Sequence, residues 1–123
     1  MAQHNQVGSW GEDLACTMLL EMGAVVRERN FRSGGVEIDI IASLGDEIIF
    51  AEVKTRTNPA EDPLEAIDRR KILRMARAAD TYLRMCEVPL FPRFDLFAVR
   101  GTPECHTIEH VPDAFHAPAK TYR

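Results

Sequence analysis

The sequence predicts a single α/β domain with a mixed central β-sheet, and three observations predict it. Residues 36–41 (VEIDII) and 48–54 (IIFAEVK) are β-branched segments on either side of Ser43-Leu44-Gly45-Asp46, and together they read as a β-hairpin. A long helical pattern from Leu64 to about Cys86 follows the hairpin, and two more strand-like segments follow that helix. A strand that returns from a crossover helix can pair parallel to the hairpin strand, which makes the sheet mixed.

The elements follow in order. Ser9-Trp10-Gly11 through Glu21-Met22 reads as an amphipathic helix, with Leu14, Ala15, Met18, Leu19 and Met22 at helical spacing and Gly23 as its stop. Residues 24–32 are an extended strand leading to the Ser33-Gly34-Gly35 turn and then the hairpin. A polar, Pro-bracketed loop over 57–63 precedes the long helix, which is expected to break near Asp68. Residues 94–100 and 105–111 are the last two strands, separated by Gly101-Thr102-Pro103, and 112–123 reads as a loosely packed tail.

Four charges stand in the hairpin where its strands should be apolar: Glu37, Asp39, Glu52 and Lys54. Alternation places Glu37 with Asp39 on one strand, and Phe50, Glu52 and Lys54 together on the other. A turn centred between Gly45 and Asp46 sets Asp39 opposite Glu52 and Glu37 opposite Lys54. One centred a residue earlier sets Asp39 opposite Phe50 and Glu37 opposite Glu52. Either register gathers the acids and the lysine on one face. Directly opposed residues lie ~5 Å apart at Cβ, so two carboxylates there repel unless a cation or a shared proton lies between them.

A hard divalent cation, Mg²⁺ or Mn²⁺, suits such an oxygen-only, sulfur-free donor set. Acid, acid and lysine around it point to phosphodiester hydrolysis, with Lys54 orienting the attacking water or offsetting transition-state charge. The plain alternative is an exposed strand face with one cross-strand Glu–Lys pair. That alternative explains Glu37 as well as function does, but it explains Asp39 and Glu52 together poorly, because Asp is depleted in strands and both have apolar neighbours.

Asp39, twelve intervening residues and Glu52-Val53-Lys54 resemble the D…E-x-K signature of the PD-(D/E)XK nuclease superfamily. Around it Gly11-Glu12-x-x-Ala15, Arg29-Asn30-Phe31-Arg32, Glu37-Ile38-Asp39-Ile40-Ile41, Phe50-Ala51-Glu52-Val53-Lys54-Thr55-Arg56 and Arg93-Phe94-Asp95 occur in that order. As a set, over about 8–100, they resemble the uncharacterised YraN-like family of bacterial proteins. The resemblance implies a restriction-endonuclease-like, Holliday-junction-resolvase-like fold whose active site is Glu12, Asp39, Glu52 and Lys54. It implies metal ligation by Asp39, Glu52 and the Val53 carbonyl, with Glu12 on an outer water. Val36 stands where the family usually has Gly, Ala51 where Val is usual, and Ile38 where the superfamily name has Pro; none of these removes a ligand.

Glu12 also has a plainer reading as a first-turn acid favoured by the helix dipole. Lys71, with Arg74 beside it, is the first choice of substrate contact on the long helix, against the bland reading of a solvated face. Arg56, directly after the E-x-K strand, is the second. Asp95 reads as the partner of Arg93 in an internal salt bridge.

Composition agrees with one globular domain over 1–123, with 46% hydrophobic and 28% charged residues and loose ends at about 1–7 and 112–123. No apolar run or basic-then-apolar leader stands out, so a cytoplasmic protein without a membrane partner is expected. Cys16, Cys86 and Cys105 form no C-x-x-C pair and read as buried thiols, while His106 and His110 read as exposed polar residues of an edge strand rather than zinc ligands. The net charge of −4 counts against a nonspecific nucleic-acid binder, but Arg27, Arg29 and Arg32 precede the hairpin and Arg69, Arg70, Lys71, Arg74 and Arg77 follow it, as two basic patches flanking the acids.

The expected activity is therefore metal-dependent cleavage of DNA, including branched or structured DNA. A chain this small has no separate recognition domain, so it needs a homodimer, a protein partner or a DNA structure that presents the strand. Two alternatives stand beside it: a nucleic-acid-binding or partner-binding module that keeps the fold without turnover, and a hairpin that binds metal structurally.

Overall fold

The computed structural model describes residues 6–66, 68–86 and 90–115. Its elements are α1 (Gln6–Glu21), β1 (Val25–Ser33), β2 (Val36–Leu44), β3 (Glu47–Arg56), a short 3-10 turn (Pro63–Ala66), α2 (Arg69–Cys86), β4 (Phe91–Thr102) and β5 (Cys105–Phe115). The strands form one sheet in the order β1-β2-β3-β4-β5. All neighbours are antiparallel except β3 and β4, which run parallel from Glu47↔Phe91 to Arg56↔Arg100. A mixed sheet with a helix on each face is the α/β architecture expected for the restriction-endonuclease-like fold.

The apolar run of β3 follows from its central place, with both faces covered. Ile49, Ala51 and Val53 join Ala15 and Leu19 of α1 in one core, whereas Ile48 and Phe50 join Met75, Ala78, Ala79 and Tyr82 of α2 in the other. Gly11 lets α1 approach β3 closely, since a Cβ at that position would collide with the Thr55 hydroxyl. Gly23, at φ 95°, ends α1 in the left-handed conformation that glycine adopts without strain, and the Ala24 N–H donates back to the Leu19 carbonyl at 3.0 Å.

Two turns set the hairpin in place. Gly34 and Gly35, at φ 60° and 79°, take the left-handed positions before β2, so Val36 begins the strand and is not among the positive-φ residues. The β2–β3 register runs from Leu44↔Glu47 to Ile40↔Ala51, which is the register of a turn centred between Gly45 and Asp46. The long helix does break at Asp68. The Asp68 carboxylate accepts the Lys71 N–H at 2.8 Å and its carbonyl accepts the Ile72 N–H at 3.0 Å, an N-cap for α2.

Several expectations need correction. Helix α1 starts at Gln6 rather than Ser9. Strand β5 runs past Val111 to Phe115, whose ring stacks on Phe94 at 5.4 Å, so 112–115 belong to the sheet; 116–123 lie outside the described residues, as do 1–5. Pro112 is tolerated there because β5 is an edge strand and its register with β4 shifts between Phe94 and Leu96. Cys16 and Cys86 are only half-buried, each at the margin of a core, and Cys105 is exposed at the start of β5.

His110 is not an exposed polar residue. Its ring stacks on Phe97 at 4.3 Å, and its Nε2 lies 2.7 Å from Asp95 Oδ2. Asp95 is fully buried and is gripped from several sides: Arg93 donates to both oxygens at 2.9 and 2.8 Å, and the Asp113 N–H donates at 3.0 Å. Burial acts against the charge, but these donors hold the Asp95 carboxyl below the usual carboxylate range. The expected Arg93–Asp95 salt bridge is thus the core of a network that pins β5 to β4.

Candidate active site

The site begins where the hairpin stops being regular. The β2–β3 ladder ends at Ile40↔Ala51, and the next pair in that register would be Asp39 and Glu52. There the Val53 N–H donates instead to Asp39 Oδ2 at 2.8 Å, so a side chain replaces the strand as its partner. Alternation also breaks at this point: Ile38 packs in the α2 core and Ile40, two residues on, in the α1 core. Facing Asp39 across β1 is Asn30, whose φ of 57° is left-handed; asparagine is one of the few residues that take that region readily.

The result is an open cavity of about 560 Å³ whose lining includes Glu37, Asp39, Glu52, Val53, Lys54 and Lys71, together with Asp68, Arg70 and Arg74. Of the residues expected from sequence to act on the metal or the water, Asp39, Glu52, Val53 and Lys54 come together here. Glu12 does not line the cavity. It sits at the edge of α1, where Asn30 Nδ2 donates to its Oε1 at 3.3 Å and Arg29 at 3.5 Å, and its charge is felt by Asp39 and Glu37. Burial raises the Glu12 carboxyl above its ordinary value, against the pull of Asn30 and Arg29.

Asp39 is strongly perturbed. Burial first, and then the neighbouring Glu52 carboxylate, push its pKa up to about 8 despite the Val53 hydrogen bond. Glu52 is buried and carries two cations on the same oxygen, with Lys54 Nζ at 3.0 Å and Lys71 Nζ at 2.6 Å from Oε2. The two lysines diverge. Burial pulls Lys54 below the ordinary lysine value; burial is also the largest influence on Lys71, but the charge and hydrogen bond of Glu52, with Lys54 and Asp39, together outweigh it and hold Lys71 above. The shifts of these two neighbouring amines thus run in opposite directions.

Among the described residues no group of three or more His, Cys, Asp or Glu side chains forms a metal cage. Mg²⁺ does not require one, since it is usually held by one or two carboxylates and completes its shell with water and substrate oxygens. Two carboxylates, one of them destabilised by the other's charge, with Val53 in the same cavity lining, fit such a hard cation.

The remaining charges divide. Arg74 lines the cavity, as expected of a substrate contact, and Lys71 does so while bound to Glu52. Arg56 stands outside it: its Nε pairs with Glu61 at 3.6 Å, and it lines a neighbouring cavity of about 380 Å³ with Arg100 and His106. The first basic patch is spent internally, Arg27 on the Tyr82 hydroxyl at 3.0 Å, Arg29 on Asp13 at 3.0 Å, and Arg32 on Glu37 at 3.6 Å. That last pair replaces the cross-strand Glu37–Lys54 contact the sequence offered. Sequence reasoning gives Asn30 no role beyond its motif and Arg70 none beyond the basic patch. The signal for Asn30 was an asparagine inside a strand, and for Arg70 its place four residues before Arg74.

The fold and cavity together define a mixed-sheet α/β domain with an acid–lysine cluster at the open end of its central hairpin. The chain belongs to the uncharacterised protein family UPF0102, whose sequence pattern matches residues 11–99. It is 41% identical over 119 residues to a UPF0102 protein of Bacteroides thetaiotaomicron, covering 96% of this chain and 98% of that one. A UPF0102 protein of Christiangramia forsetii is 36% identical over 116 residues, covering 94% and 98%. Among solved structures, a Holliday junction resolvase of Archaeoglobus fulgidus is similar at 18% identity and a TM-score of 0.46, over 86% of this chain and 77% of that one. Among the described residues no helix is long and apolar enough to cross a membrane.

Proposed function

We propose that the protein is a metal-dependent endonuclease acting on DNA, including branched or structured DNA. The observation that carries this reading is the end of the β2–β3 ladder at Ile40↔Ala51, beyond which Asp39, Glu52 and Lys54 line one cavity. Asp39, Glu52 and the Val53 carbonyl would hold Mg²⁺ or Mn²⁺. The cation supplies positive charge that polarises a phosphodiester and acidifies water.

The chain's own residues supply the rest. Lys54, drawn down by burial, would accept a proton from the attacking water. Lys71 keeps Glu52 oriented, and Arg70 and Arg74 face the space a phosphate would enter. Glu12, from the α1 side, adds negative charge near Asp39 and so favours a cation there.

A second reading, a nucleic-acid-binding module without turnover, draws on one observation: Glu52 Oε2 is already shared by two lysines, which compete with a cation for it. Labelled single-stranded, duplex and four-way-junction DNA incubated with Mg²⁺ or Mn²⁺ separates the two. The nuclease reading expects metal-dependent cutting by the wild type that Asp39→Ala abolishes. Tight binding without cutting supports the module, and equal traces of cutting in both proteins defeat the nuclease assignment.

A further inference from the structure

Helix α2 carries arginines that neither the fold nor the proposed chemistry fully uses. Arg70, Arg74 and Arg77 stand at i, i+4 and i+7, so they share one helix face, turned away from the Met75, Ala78, Ala79 and Tyr82 side that packs on the sheet. All three side chains are exposed, and among the described residues none of them makes an ion pair or hydrogen bond. The acids nearest to them in sequence are engaged: Asp68 caps the helix, and Asp80 pairs with Arg84.

These arginines border two adjoining cavities. The acid–lysine cavity is lined in part by Val36, Arg70 and Arg74, and a second, of about 210 Å³, by Ser33, Gly34, Val36, Arg74, Arg77 and Thr81. Val36 and Arg74 border both, so the two adjoin as a furrow along α2, beside the β1–β2 turn. Nothing lies within 4 Å of a Cβ added at Gly34 or Gly35.

From Arg70 to Arg77 the helix rises about 10 Å. A nucleic-acid strand in a duplex carries about one phosphate per 3.4 Å of axis, so the row spans roughly three phosphate-to-phosphate steps. We infer that this furrow is a track for a phosphodiester backbone, which grips the substrate strand on one side of the acid–lysine cavity. The inference rests on the nuclease-site reading for the polymer that enters the cavity, but the grip itself needs neither metal nor turnover. It also resolves the charge problem: a chain of net charge −4 binds a polyanion through one local row rather than through its whole surface.

The test is anisotropy of labelled single-stranded DNA, single-stranded RNA and duplex DNA in EDTA, across about 50 to 200 mM salt. Wild type is expected to bind with a steep salt dependence. Arg74→Ala/Arg77→Ala should bind about tenfold or more weakly and lose about 0.7 of the log–log slope per arginine on single strands. Arg84→Ala, whose side chain lies outside the furrow, should keep the wild-type slope, and urea unfolding checks that each variant folds. Such a loss on DNA, RNA or both upholds the track and names the polymer.

An unchanged slope in the double variant, no salt-dependent binding by wild type, or equal retention of polyglutamate overturns it. Cleavage measured separately keeps the two claims apart. Metal-dependent cutting with an unchanged slope defeats the track and leaves the nuclease, whereas slope loss without cutting leaves the track and defeats the nuclease.

Discussion

On the nuclease reading, Lys54→Met is expected to leave the protein folded and able to bind Mn²⁺ and to lower cleavage by about a hundredfold or more. Methionine keeps most of the lysine stem, so the packing at the cavity wall survives. Glu52 is not orphaned, because Lys71 remains 2.6 Å from the same oxygen. What disappears is the amine that burial holds below its ordinary value, 3.0 Å from Glu52. Single-turnover cleavage at saturating Mn²⁺, with urea unfolding as the check on folding, measures the effect. Cleavage at the wild-type rate would remove Lys54 from the chemistry.

Asp39→Asn stabilises the metal-free protein above neutral pH by a few kcal/mol and flattens its stability profile. The folded Asp39 has a pKa of about 8, raised by burial and by Glu52, against an ordinary value of 3.8. Below the ordinary value both folded and unfolded chains are protonated, and the protein has its full stability. As pH rises toward 8 the unfolded chain ionises and the folded one resists, so stability falls; above 8 both are ionised and the loss is complete. Asparagine can still accept the Val53 N–H, yet it carries no charge to desolvate. Urea midpoints from pH 4 to 9 should therefore decline in the wild type and stay level at this site in the variant. Parallel profiles would mean that Asp39 is not strained by its neighbours.

Much of this was legible in the sequence, for identifiable reasons. Gly45-Asp46 centred the hairpin, so one of the two registers considered is the one observed, and Asp68 broke the long helix as a side chain able to cap it. The parallel return of β4 follows from the crossover helix. What was hidden lies where a local rule breaks. Period-two alternation treats β2 as regular, whereas Ile38 and Ile40 enter different cores and Asn30 adopts a left-handed φ beside them. The second lysine on Glu52 was named only as a substrate contact, because sequence spacing does not bring a helix residue onto a strand carboxylate. His110 gave no sign of its stack on Phe97, which depends on the β4–β5 register. Pro112 read as the end of a strand, and only an irregular edge register lets β5 continue past it.

Whether Asp39 and Glu52 form one divalent-cation site is tested most directly by calorimetric titration of Mn²⁺ into wild type, Asp39→Ala and Lys54→Met. Saturable binding in wild type and Lys54→Met that is lost in Asp39→Ala is the predicted result. Equal binding by Asp39→Ala, or none by wild type, would contradict it.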